Sequence, residues 1–86
     1  MQWPQKILTD GGKYTIEIRQ SLSQTDHGVV TVKVAEPYRT ALEGTTVKVI
    51  DGAGRFLFRG QIIDGEVAQI IDGLSSLQLR FVVQPG

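Results

Sequence analysis

The chain has 86 residues, 9 Lys or Arg against 9 Asp or Glu, and no cysteine. That length holds one hydrophobic core, so a single domain over residues 1–86 is expected, and a hydrophobic share of 41% places it with folded rather than disordered chains. The balanced charge gives no long-range field to gather nucleic acid or anionic lipid, and the missing thiols exclude a disulfide, a thiolate–zinc site, an iron–sulfur cluster and a cysteine nucleophile.

The N-terminal stretch Met1–Lys6 has no apolar leader pattern, and apolar runs elsewhere are short. A cytoplasmic protein with no membrane contact is the expectation. Ile7 and Leu8 can add an edge strand, with Pro4 confining any pairing there to an edge; Trp3 is a candidate plug for the core. From Tyr14 onward the period is two. Tyr14, Ile16 and Ile18 alternate with Thr15, Glu17 and Arg19, and Val30, Val32 and Val34 alternate with Thr31 and Lys33. Val47 and Val49 follow the same rule, as do Phe56 with Phe58, and Leu77, Leu79, Phe81 and Val83. This pattern describes strands with one wet and one buried face. It predicts strands at 13–20, 29–36, 45–50, 55–63, 66–71 and 77–84. The inward-facing members of that list, with Val67 and Ile71, are the candidate core, and Leu42 is a further plug.

Asp-Gly pairs punctuate the strands at Asp10-Gly11, Asp51-Gly52, Asp64-Gly65 and Asp72-Gly73. Glycine accepts positive φ and aspartate tolerates it, which hairpin turns require. Asp64-Gly65 reads as a two-residue hairpin, and residues 51–54 as a longer one. Ser21–Gly28 reads as an exposed polar loop. Residues 36–44, from Glu36-Pro37 to Gly44, are a crossing loop or a single helical turn, too short for a stable helix. Short strands with turn signals and little helix give an all-β, antiparallel sandwich of six or seven strands, Ig- or prealbumin-like; a small OB- or SH3-type barrel is the alternative.

The passage Ala41-Leu42-Glu43-Gly44-Thr45-Thr46-Val47-Lys48-Val49-Ile50-Asp51-Gly52-Ala53-Gly54 resembles a stretch of prealbumin-like modules, including carboxypeptidase regulatory-like domains. So do Asp64-Gly65-Glu66, Gly73-Leu74 and the run from Leu77 to Val83. Ile63 and Leu77 depart from the family's usual Thr and aromatic residue. The similarity spans roughly residues 37–83 and implies a seven-strand sandwich that serves as a structural or interaction module without catalysis. It carries no functional residues across, because the matched positions are folding positions.

Chemistry-bearing residues are sparse. His27 is the single histidine, in a polar stretch with Ser21, Ser23 and Asp26. Sequence neighbours do not make a triad, which needs an oriented base and an exposed nucleophile. Asp51, Asp64 and Asp72 are explained by turn formation, and the spacing of a dedicated calcium loop is absent. Gly52-Ala53-Gly54-Arg55 lacks the helix and Lys of a phosphate loop. No cofactor and no metal are expected.

The outer-face candidates are Arg59, Gln61, Gln78 and Arg80, which make one patch if the fourth and sixth predicted strands share a sheet. Leu57, Ile63 and Val82, with Ile50, are apolar on the nominally wet face and mark an interface if they cluster. Leu57, Arg59, Gln61, Ile63, Gln78, Arg80 and Val82 are therefore the candidate partner-binding residues. The expected function is a non-catalytic protein-interaction or structural module acting through a sheet face or edge strand, with a protein partner or a second copy of the chain. The alternatives are a nucleic-acid binder using Arg55, Arg59, Arg80, Lys48 and the glutamines, disfavoured for want of an exposed aromatic between them, and a small metal-dependent or hydrolytic protein.

Overall fold

The computed structural model of the chain describes residues 4–9, 11–23, 26–77 and 80–86. Seven strands appear in chain order: β1 (Gln5–Leu8), β2 (Tyr14–Gln20), β3 (His27–Val34), β4 (Thr46–Asp51), β5 (Phe56–Gln61), β6 (Glu66–Asp72) and β7 (Phe81–Pro85). They form two antiparallel sheets, ordered β1-β2-β3-β6 and β5-β4-β7. The all-β expectation holds. The described residues of the two sheets share no ladder, which makes this a sandwich rather than a closed barrel.

The alternation works as read in β2, β3 and β4. Tyr14, Ile16, Ile18, Val30, Val32 and Val34 line the inner face of the four-stranded sheet, and Val47, Val49, Phe58 and Phe81 the inner face of the other. Ile7, Leu42, Val67 and Val83 pack against this core while half-buried or nearly so. Trp3 and Leu79 lie outside the described residues.

Phe56 and Leu57 exchange the places expected of them. Val49 pairs with Phe58 but Ile50 pairs with Phe56, so Leu57 is an extra residue, a β-bulge. The bulge breaks the two-residue period. Phe56 faces solvent at 54% exposure, while Leu57 packs against the core. Two more core residues lie on connections: Ile62, fully buried and in step with Phe58, and Leu74, in a 3-10 turn (Leu74–Ser76). Gly28 makes room for the latter, since a Cβ there would collide with the Leu74 side chain and the Arg19 carbonyl oxygen. The last strand is shorter than expected: Leu77 is buried ahead of β7.

Residues 36–44 carry the chain from the first sheet to the second as a 3-10 turn (Glu36–Tyr38) followed by one α-helical turn, α1 (Arg39–Leu42). The Asp64-Gly65 turn carries it back. Both residues have positive φ, 54° and 78°, as a tight two-residue turn requires. The two crossings brace each other. The Glu43 carboxylate accepts the Asp64 and Gly65 backbone N–H groups at 2.7 and 3.0 Å, and the Arg39 guanidinium donates to the Asp64 carbonyl at 3.0 Å. The Asp64-Gly65 hairpin is thus a corner between sheets, since β5 and β6 belong to different ones. Among the described residues, no helix is long and apolar enough to cross a membrane.

Candidate functional site: the outer face of the three-stranded sheet

The pairing register sets the rows of side chains on this face. Val47, Val49 and Asp51 of β4 point inward, so Thr46, Lys48 and Ile50 point out. Ile50 is opposite Phe56 on one side and Val82 on the other. Lys48 is opposite Arg59 on one side and Gln84 on the other, and Thr46 is opposite Gln61. An apolar row, Phe56–Ile50–Val82, therefore crosses all three strands where alternation should leave polar residues. Phe56 and Val82 are 54% and 46% exposed. Beside it runs a row of two cations and an amide.

The apolar row leads into a groove of about 480 Å³ between β7 and β1. Ile50 and Val82 line it, Leu8 and Ile7 of β1 join them, and Arg80 and Gln84 contribute its polar groups. Leu8 is 67% exposed. The turn beside the groove is held by bonds of its own residues. Asp51 is buried, and one carboxylate oxygen accepts the backbone N–H groups of Ala53 and Arg55, both at 3.0 Å. Further bonds from Asp51 to Arg55 O and from Gly54 to Asp51 O close the hairpin. Turn formation thus accounts for Asp51.

The face carries unopposed positive charge. Lys48, Arg59 and Arg80 form no ion pair among the described residues, and none of the strand positions facing outward here is acidic. Lys48 and Arg59 are like charges directly opposite across a ladder, an arrangement that costs stability.

The residues singled out in the sequence scatter over this framework. Arg59, Gln61 and Val82 lie on the face, and Arg80 stands at the entry to β7. Their two predicted strands do share a sheet, but β4 runs between them. Arg59 is level with Gln84, whereas Arg80 lies beyond the opposite end of β7, so the two arginines flank the apolar row instead of touching. Leu57 is turned inward by the bulge, and Ile63, exposed, sits at the corner beside Asp64. Leu57, Ile63 and Val82 therefore form no cluster. Gln78 lies outside the described residues. Sequence reasoning missed Phe56 and Leu8 as surface groups. The signal for Phe56 was the unbroken run Phe56-Leu57-Phe58, which cannot alternate.

His27 begins β3 rather than ending a loop, half-buried and opposite Asp72. It lines a second groove, about 310 Å³, with Arg55, Phe58 and Ile71 between the open edges of β5 and β6. Arg55 lies 3.8 Å from the Asp72 carboxylate. The Asp26 carboxylate is turned to the Ser75 backbone N–H at 2.9 Å, and that bond holds it below the ordinary aspartate range. The hydroxyls of Ser21 and Ser23 meet each other. The Asp26 carboxylate and carbonyl, which accept the Ser75 and Leu74 N–H groups, tie the β2–β3 loop to the Leu74–Ser76 turn. Among the described residues no three of His, Asp and Glu converge as a metal site would need. No protein-family model matches this chain, and no curated protein and no solved structure matches it either.

Proposed function

We propose that this protein is a non-catalytic interaction module that binds another protein through the outer face of its three-stranded sheet. The observation that carries the reading is the apolar row Phe56–Ile50–Val82, exposed at both ends and half-buried at Ile50, beside a groove between β7 and β1 that Leu8 also lines. Apolar residues scattered singly on a surface need no explanation, but a contiguous row rimmed by polar groups marks a contact surface. The Lys48–Arg59 pair supports it further, because a like-charge pair that costs folding stability has its use outside folding. The prealbumin-like resemblance of residues 37–83 implies the same class of module.

A second reading, single-stranded nucleic acid, gains from one observation. Phe56 is an exposed aromatic on the same face as Lys48 and Arg59, where none was expected. Ile50 and Val82 offer no stacking surface, and the chain has no net charge, so protein is preferred.

The test is selection of random displayed peptides on the immobilised chain, with Phe56→Ser/Val82→Ser as the counter-selected variant. Peptides retained by the native chain and lost on the variant are expected. Peptides held equally by both would move the site elsewhere.

A further inference from the structure

The same face specifies its partner, an inference that rests on the reading just proposed. We infer that the partner is an acidic, apolar protein segment, whose apolar side chains cover Ile50, Val82 and Leu8 and whose carboxylates meet Arg80 and the Lys48–Arg59 pair. Three features converge on it. The apolar row is bounded on one side by Lys48 and Arg59 and on the other by Arg80, so cations flank it at both ends of the sheet. These cations have no ion-pair partner among the described residues. The charge is local to this face. On the outer face of the other sheet, Glu17 lies 2.6 Å from Arg19 and 3.9 Å from Lys6, and Lys33 stands opposite Glu66, so each of its cations has an acid beside it. A basic or neutral segment would leave the like-charge pair uncompensated. A segment with carboxylates on either side of an apolar residue removes that repulsion and fills the groove at once. Arginine suits the role, since its planar fork takes a carboxylate in two parallel bonds. Long exposed cations on a neutral molecule also steer an acidic partner at low salt without gathering anions over the whole surface.

The probes are three synthetic peptides of one pattern, Ser-Glu-Leu-Glu-Leu-Glu-Leu-Ser and its counterparts with Lys or with Gln in place of Glu, alongside a labelled single-stranded oligothymidine. Binding to the full chain is measured by fluorescence anisotropy. The acidic peptide is expected to bind about tenfold tighter than the Gln peptide, with the Lys peptide weakest. The preference should shrink between about 0.05 M and about 0.5 M salt. Lys48→Glu/Arg59→Glu should invert the order of the Glu and Lys peptides, a readout that misfolding would not produce. Equal binding of all three peptides, lost on Phe56→Ser/Val82→Ser, would overturn the acidic partner and leave the interaction face standing. Failure of every peptide would overturn the inference as well. Tight oligothymidine binding with no peptide binding would overturn both it and the protein-binding reading.

Discussion

On the outer face of the four-stranded sheet, Glu17 accepts a bond from Arg19, sits near Lys6, and is nearly shut off from solvent although its strand position faces out. On the outer face of the three-stranded sheet, Lys48 stands opposite Arg59 with no acid among its cross-strand neighbours, next to Phe56, Ile50 and Val82. Both faces come from alternating strands over one shared core. The first pairs Glu17 with Arg19 and Lys6 and sets Lys33 opposite Glu66, although Val29 and Ile70 are wet on it too. The second sets like charges opposite each other with no acid among their cross-strand neighbours, which lowers stability and which folding alone does not require. That difference is why the three-stranded face, and not the other, is the one proposed as a contact surface.

The sharpest way to separate the two is to compare inner and outer residues on a pair of strands. Ile16→Ala, at a fully buried position of β2, is expected to cost about 2–5 kcal/mol and to lower Tm by about 10–30 °C in thermal melts. Val82→Thr, on the outer face of β7, is expected to change stability by only about 0.5 kcal/mol or less. If the Val82 variant melts with the core variant, Val82 belongs to the fold and the contact surface shrinks accordingly. Next in size is Asp51→Ala. It strips the Ala53 and Arg55 N–H groups of their acceptor and should cost about 1–3 kcal/mol. The turn beside the groove would loosen, with faster amide exchange at Ala53 and Arg55 than in the β2–β3 ladder.

Arg59→Glu has a smaller effect with an informative sign. Replacing one of two opposed cations should stabilise the chain by about 0.2–1 kcal/mol in denaturant titration while weakening capture of the acidic peptide. A destabilised Arg59→Glu chain would mean that the basic row serves folding after all, and the contrast between faces would collapse.

The smallest effect falls on the four-stranded face and is set by pH. The bond from Arg19, helped by the charges of Arg19, Lys33 and Lys6, holds the Glu17 carboxyl below the ordinary glutamate range. A depressed folded-state pKa contributes stability that is complete above the unfolded value of about 4.3 and disappears as pH falls through the folded value. Glu17→Gln should therefore melt below the native chain at pH 7, and the two curves should converge at the acid end. A gap that persists in acid would show that Glu17 acts through packing and not through charge.

Much of this was legible in the residues, and the failures have identifiable causes. Alternation found the inner faces of β2, β3 and β4, since period two is a local property of the pleat. Asp64-Gly65 was recognisable as a tight turn because positive φ is a demand on single residues. That it turns a corner between sheets was not, because strand partners are chosen across the chain. Phe56 read as core because one bulged residue, Leu57, reverses the parity of everything on its far side. Leu74 carries no periodic signal; its burial depends on which layer a connection crosses. Ile70, at 70% exposure, is apolar yet wet, being on an edge strand beside Val29 rather than over the core.

By itself, then, the sequence determined the strand class, the turn positions and most of the inner face, all of which follow from nearest-neighbour backbone sterics and from apolar residues leaving water at every second position. Only the tertiary structure decided which strands are neighbours. That choice set β4 between β5 and β7, lined up Phe56, Ile50 and Val82 into one row, brought Leu8 of the other sheet to its end and left Lys48 facing Arg59. Pairing order and register are global, set by how two sheets close over one core, and the candidate site is made of nothing but residues brought together by that closure.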